Sequence, residues 1–459
     1  MKVLFCCESY WPHRGGVQEV IRQIAERMAA AGHEISVAAR IHPDRKEVDV
    51  HNGVRIHSFD VKGSLVAGIR GETDRYRKFV IDFDGDAILI KAAQQWSFDA
   101  LWPVLDQIMV RKVFVPCGFS SLYEPAFADY FRKMPQILRK FDHLIFYAEH
   151  YRDIDFTRAH GITSFSIIPN GASEIEFGRD IRGGASFRQE LGIPATDLVL
   201  LTVGAPVNAK GHETLAEAFA QVDTAGRGAT LLLNGNWPPS RFSVHRIRTV
   251  LTYLVNPSYL RRGLLLLREA GAKSLFRSMF PKAPDRRSKL AKAPNRTAAQ
   301  ARVGSTASPA LAQKTVLRID LPRDMVVDAF FAADLFVFAS KVEYSPLVLF
   351  ESAAAGTPFL TVPVGNAAEI VRWTGGGWLC PAERDECGYV TVSPPILARE
   401  IEKGIRAPDR LRELGSAGRQ AWLDRFTWAK IARCYERILQ GETVMSPMQS
   451  ETPQKAVRA

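Results

Sequence analysis

The chain has little cysteine for its 459 residues. Its six thiols, Cys6, Cys7, Cys117, Cys380, Cys387 and Cys434, show none of the short paired spacings that hold zinc and are too sparse for a disulfide scaffold. A reduced compartment is the expectation. No stretch reaches the roughly 18 apolar residues a membrane-crossing helix needs. The opening run KVLFCC is too short for the core of a secretory leader. A soluble or peripheral cytoplasmic protein is therefore expected. No Asp-x-Asp stands at a strand end where it could hold a metal; Asp82-Phe83-Asp84 precedes its strand and reads as a turn. Acids are locally scarce too: residues 237–314 carry two, Glu269 and Asp285, against sixteen Lys and Arg. The rest of the chain is slightly acidic, so the net charge of +11 belongs to that one segment.

What is present is an alternation of strands and helices. KVLFCC (2–7) is a strand, Gly15-Gly16 a turn, and Val17, Val20, Ile21, Ile24, Ala25 and Met28 repeat at helical spacing until Gly32 stops them. Strands follow at 33–39, 54–59, 86–92, 112–117, 143–148 and 165–169. After about residue 190 the pattern restarts, with strands at 198–204, 229–235, 334–340 and 358–364 and a helix over 212–222. Such alternation predicts an α/β protein with two doubly wound parallel sheets, each covered on both faces. The expected divisions are a first domain at 1–185, a second at 186–405 interrupted by the basic insert 237–314, helices at 406–440, and a polar, disordered tail at 441–459.

The stretch VEYSPLVLFESAAAGTPFL (342–360) places Glu343 and Glu351 eight positions apart around an apolar run. Ser345 followed by Pro346 is a helix-start signal, with Ser as cap and Pro at the first helical position. Gly356 and Pro358 end the helix. Glu343 then lies in the loop at the carboxyl end of a buried strand, where open α/β sheets bind ligands, and the helix start offers amides to a phosphate. Glu351 lies inside an apolar helix, where an unpartnered carboxylate is costly. Ribose hydroxyls would suit it; the bland reading is an exposed helix Glu. Asn366 and Glu369 have the spacing of a cap with a reciprocal partner, and their expected role is structural. Gly375 to Gly377 read as a tight turn.

This arrangement resembles the E-x7-E signature of glycosyltransferase family 4, retaining enzymes of the two-domain GT-B fold. Gly15-Gly16-Val17, the IPNG of 168–171, VGAPVNAKGHETLAEAF (203–219), VGNAAEIV (364–371), GGGWLCPA (375–382) and FTW (426–428) resemble that family's other motifs in order and spacing. The resemblance covers nearly the whole chain except the insert and tail. It implies that Glu343 contacts donor-sugar hydroxyls, Glu351 the nucleotide ribose and Lys210 the diphosphate. Gly15, Gly16, Gly204, Ser345, Leu347 and Val348 would line the donor site, with no metal required. Plain alternatives stand beside these: a solvated loop Lys for Lys210 and a simple turn for Gly15-Gly16. The chain departs from the family in three places. Ala205 stands where an Arg is usual, Tyr344-Ser345-Pro346 replace a Gly-rich segment after the first acid, and Cys117 stands where many members have a His, with nearby His150 read as a surface residue.

The resemblance implies transfer of a sugar from a nucleotide-sugar donor to a sugar or lipid-linked acceptor hydroxyl, in cell-surface polysaccharide or glycolipid synthesis. Basic residues interleaved with Leu, Tyr and Phe in 237–314 suit an anionic membrane surface, such as the inner face of the cell membrane, with an ordinary solvated insertion or a protein partner as the alternatives. No nucleic-acid module accompanies them, so no nucleic-acid partner is expected. A nucleotide-sugar epimerase or hydrolase, and a catalytically degenerate scaffold, are the rival readings.

Overall fold

The computed structural model describes residues 1–13, 15–178, 183–237 and 313–444. The expectations placed on 237–314 and on 441–459 fall almost wholly outside these residues. Among the described residues, eight strands form the first sheet: β1 (Lys2–Cys6), β2 (Glu34–Arg40), β3 (Val48–His51), β4 (Val54–Phe59), β5 (Ala87–Lys91), β6 (Arg111–Val115), β7 (His143–Phe146) and β8 (Phe165–Ile167). Their spatial order is β8-β7-β6-β5-β1-β2-β4-β3. All neighbours are parallel except β3, which pairs antiparallel with β4 across Asn52-Gly53, both at positive φ. The β5 stretch AILIK is buried throughout, as strands covered on both faces are.

The second sheet holds β9 (Leu198–Val203), β10 (Ala229–Asn234), β11 (Lys314–Ile319), β12 (Leu335–Phe338), β13 (Phe359–Thr361) and β14 (Gly377–Leu379). Its order, β11-β10-β9-β12-β13-β14, is all parallel and reverses direction between β9 and β12. This is the doubly wound pattern, and it bears out the expected fold class. Two of its strands escaped the sequence reading. β11 begins at the last residue of the basic segment, and β14 lies in what was read as a glycine turn. At Gly377 a side chain would collide with the Phe359 carbonyl of β13, so close strand approach requires glycine there.

Six helices matter below: α1 (Gly16–Ala30), α2 (His212–Gln221), α3 (Arg323–Ala332), α4 (Leu347–Ala355), α5 (Ala367–Thr374) and α6 (Trp428–Leu439). The apolar stripe of α1 (Val20, Ile21, Ile24, Ala25, Met28) packs on β1, β2 and β4 in one core cluster. Trp428, Ile431, Tyr435 and Ile438 of α6 complete that same cluster, so the end of the chain seals the core of its beginning. His33 and Glu436 pair at 2.9 Å beside it.

Ile431 is fully buried there. Ile431→Ala removes three carbons from a filled site and is expected to cost about 2–4 kcal/mol. A lower urea midpoint at unchanged m-value checks it.

Candidate active site

The strand orders decide where chemistry can occur. In the second sheet the direction reverses between β9 and β12, so the loops leaving these strands diverge and open a crevice. Lys210 follows β9 and Glu343 follows β12. In the first sheet the reversal falls between β1 and β5, and Gly15-Gly16 follow β1. The residues singled out from sequence therefore come from the two switch points.

Lys210 ends a short 3-10 turn, Asn208–Lys210. Gly211 follows at φ 71°, and a side chain there would collide with the Ala339 carbonyl at the foot of the Glu343 loop. Backbone contact thus sets the spacing of the two loops. His212 Nε2 lies 3.2 Å from the Gly204 carbonyl, and burial pulls the imidazole's pKa down, favouring its neutral form. The stem of Lys210 lies over Gly204, within ordinary contact distance of where a side chain would begin. Lys210 Nζ forms an ion pair with Glu343 Oε1. The Ser340 hydroxyl stands 3.0 Å from the same oxygen.

Helix α4 begins one residue later than the sequence implied. Pro346 is the capping residue, in extended backbone, and Ser345 makes no capping bond. The Ser345 hydroxyl is buried without a partner, so its expected capping role is corrected. Pro346 pre-sets the entry, and Leu347 and Val348 carry first-turn amides with no helical acceptor. Gly16, the first residue of α1, comes within 4.0 Å of Leu347 at the position of a notional Cβ, which brings the Gly-Gly turn against this helix start. Gly356 ends α4 at φ 73°, as expected.

Glu351 is buried, and its partner is a residue the sequence reading did not single out. Arg323, the first residue of α3, holds Glu351 at 2.6 Å and Glu176 at 2.7 Å. Burial pulls the Arg323 pKa down, but the two acids more than offset it and raise it. No spacing rule connects Arg323 to Glu351; α3 and α4 meet only in the fold.

A second set of contacts joins the halves. Asn366 and Glu369 were read as a reciprocal cap, but Asn366 makes no side-chain cap at α5. Glu369 instead accepts the amides of Glu149 and His150, at 2.8 and 3.0 Å, and Asn366 Nδ2 donates to the Tyr147 carbonyl. The pair bridges the two halves. His150 is exposed, as expected. Cys117 sits at φ 64° with its thiol pKa raised by burial, which keeps it neutral. Beside it Asp153 is fully buried, accepts the Gly118 and Ile154 amides, and has its pKa pushed up by burial to about 7. Among the described residues, no three His, Cys, Asp or Glu gather into a metal-binding group.

Residues 313–391, from β11 past both acids, match the family model described as glycosyl transferases group 1. Over 112 residues the chain is 30% identical to an alpha-maltose-1-phosphate synthase of Mycolicibacterium smegmatis, covering 24% of this chain and 28% of that relative. The chain thus matches less than a third of that relative's length. Sucrose-phosphate synthase from Thermosynechococcus elongatus superposes with a TM-score of 0.62 at 19% identity, over 96% of this chain and 98% of that one. HepE of Anabaena, solved in complex with UDP-glucose, gives 0.59 at 15% identity, over 96% and 100%. This chain has the GT-B glycosyltransferase fold, with a glycosyl transferases group 1 segment at 313–391.

Two outcomes follow for the GT-B chain. Arg323→Met removes the cation that Glu176 and Glu351 share. A buried pair broken on one side costs about 3–5 kcal/mol; with Arg323 about a third exposed, about 1–3 kcal/mol is expected. Adding Glu351→Gln should recover part of it, as a double-mutant cycle in urea would show. At Asp153 the folded protein binds a proton that the unfolded chain releases near pH 4. Stability should therefore fall as pH rises toward about 7, by at most about 1.4 kcal/mol per unit, and level off above. Asp153→Asn should flatten that slope in denaturation series at pH 5 and 8.

Proposed function

We propose that this chain is a retaining glycosyltransferase that moves a sugar from a nucleotide-sugar donor to an acceptor hydroxyl. The observation that carries the reading is the Lys210–Glu343 ion pair at the switch point of the second sheet, beside the open amides of α4. A nucleoside diphosphate leaving group gathers negative charge as its bond to the sugar breaks. In this reading Lys210 and the Leu347 and Val348 amides would neutralise that charge, with no metal required. Donor phosphate would take Lys210 from Glu343 and free the carboxylate for the sugar's hydroxyls. Glu351, steadied by Arg323, would accept the ribose hydroxyls. Gly15 and Gly16 close the site from the other half, where absence of side chains lets phosphate approach the backbone.

The acceptor in this reading is a sugar or a lipid-linked sugar, and the setting is cytoplasmic synthesis of a cell-surface polysaccharide or glycolipid at the inner face of the membrane. Among the described residues no helix is long and apolar enough to cross a membrane. One structural neighbour is solved with UDP-glucose, which makes uridine nucleotides the first probes.

Melting temperatures would be recorded with UDP, GDP, ADP and their glucose conjugates, for wild type, Lys210→Ala and Glu351→Ala. A nucleotide at 100 times its Kd adds about 2.7 kcal/mol to the folded state. The reading expects a clear upward shift with one base, reduced in both variants. A flat response to every nucleotide would overturn it in favour of a scaffold that keeps the fold without the donor.

A further inference from the structure

Tyr344 has no assigned role and breaks the Gly-rich pattern after Glu343, yet its side chain leaves its own half of the molecule. Its ring stacks on Tyr151 with centroids 4.4 Å apart and lies against Tyr147. Its hydroxyl accepts the Tyr147 amide at 3.0 Å and hydrogen-bonds the Asp153 carboxyl. The Tyr151 hydroxyl in turn donates to the Glu343 carbonyl at 2.8 Å. Tyr147, Tyr151 and Asp153 all follow β7 in the first half; Glu343 and Tyr344 follow β12 in the second. Two phenols thus cross the seam in opposite directions and meet at the residue bearing the donor-sugar acid.

The surroundings leave the ring no slack. Gly118, at φ 99°, would bring a side chain to 3.1 Å from both Tyr344 and Tyr151. The Tyr344 carbonyl accepts the Asn366 amide at 2.8 Å, and at Gly365 a side chain would strike that same carbonyl. Burial, then the charge of Asp153, raises the Tyr344 pKa well above its ordinary value, so the phenol stays neutral and able to donate.

We propose that Tyr344 and Tyr151 are positioning residues: a two-hydroxyl clasp that holds the Glu343 loop against the first half, so that the acid faces the donor sugar only when the halves are joined. The inference rests on the glycosyltransferase reading for its catalytic consequence and on contacts alone for the clasp. Nucleotide would be held by Lys210, Glu351 and the Leu347 and Val348 amides, none of which the Tyr344 or Tyr151 hydroxyl contacts. Sugar transfer, which needs Glu343 in place, would depend on it.

The test uses Tyr344→Phe, Tyr151→Phe and the double variant of the full chain. Amide hydrogen exchange, without substrate, reads the clasp directly. In Tyr344→Phe the Tyr147 amide loses its acceptor and should exchange roughly tenfold faster, the scale of one lost hydrogen bond, while the Glu149 and His150 amides bound to Glu369 keep their protection. With UDP-glucose as donor probe, kcat for glucose release or transfer should fall by a similar factor, with the Kd for UDP unchanged within about twofold. The double variant should fall less than the product of the single losses, because either break frees the same loop. Unchanged Tyr147 exchange overturns the clasp whatever the enzyme does. Faster exchange with unchanged kcat, or with the UDP Kd worsening in parallel, overturns the positioning role. A wild type that binds none of UDP, GDP and ADP and turns over none of their glucose conjugates would count against the glycosyltransferase reading, with the exchange result still deciding the clasp.

Discussion

The structure depends on one constraint: two parallel sheets whose faces are covered by helices. A strand such as AILIK, buried along its whole length, has no room on its faces for a ligand. Polar chemistry is confined to the carboxyl ends, where loops at a reversal of strand order must part. Candidate site residues stand at both reversals. Gly15-Gly16 leave one, Lys210 and Glu343 leave the other, and the Leu347 side chain packs against the core cluster of the first half close to Gly16. The helices fix depth and spacing, and glycines permit the close approaches: Gly211 against Ala339, Gly377 against Phe359.

Much of this was legible beforehand, because the signals were local. The 3.6-residue repeat of α1, the buried runs of β5 and β9, and the acid pair around an apolar helix all lie within short windows. What escaped was of two kinds. Some was local but faint. The Asn52-Gly53 turn between VDVH and VRIH is a hairpin signal that went unread, hiding β3; β11 was hidden by the basic segment it adjoins, and β14 by glycines that the close approach to β13 in fact requires. The rest was not local at all. Arg323 reaches Glu351 across two helices and Glu176 from a distant part of the chain. Glu369 has the spacing of a cap but spends its oxygens on amides of the other half. Spacing describes one element; these contacts exist only once two are packed.

Two of the three departures from the family pattern, at Cys117 and at Tyr344-Ser345-Pro346, take on physical content in the same way. Burial raises the Cys117 thiol pKa and holds it in its neutral form. The change at Tyr344 trades backbone freedom for a stacked ring and two hydrogen bonds across the seam. Pro346 gives up one amide but fixes the backbone at the mouth of α4, so the amides of Leu347 and Val348 point consistently. Rigidity replaces glycine's freedom at this loop. A rigid loop must be held in the right place, which is what the contacts from Tyr147, Tyr151 and Asn366 provide.

The two acids also differ in how firmly they are held, and the difference fits their proposed partners. Glu343 and Lys210 both keep water access, with side chains 17% and 29% exposed. A pair so placed is worth at most about 1 kcal/mol and is easily exchanged for another partner. Glu351 is 10% exposed and shares Arg323 with Glu176. Breaking that set strands the buried Glu351 carboxylate and costs about 1–3 kcal/mol, discounted because Arg323 is 37% exposed. On the proposed reading an incoming diphosphate would take Lys210 and release Glu343, while Glu351 would stay on Arg323 through one oxygen and offer the other to a hydroxyl. On that reading the two-membered pair would lie where bonds break and the three-membered set where only recognition is needed.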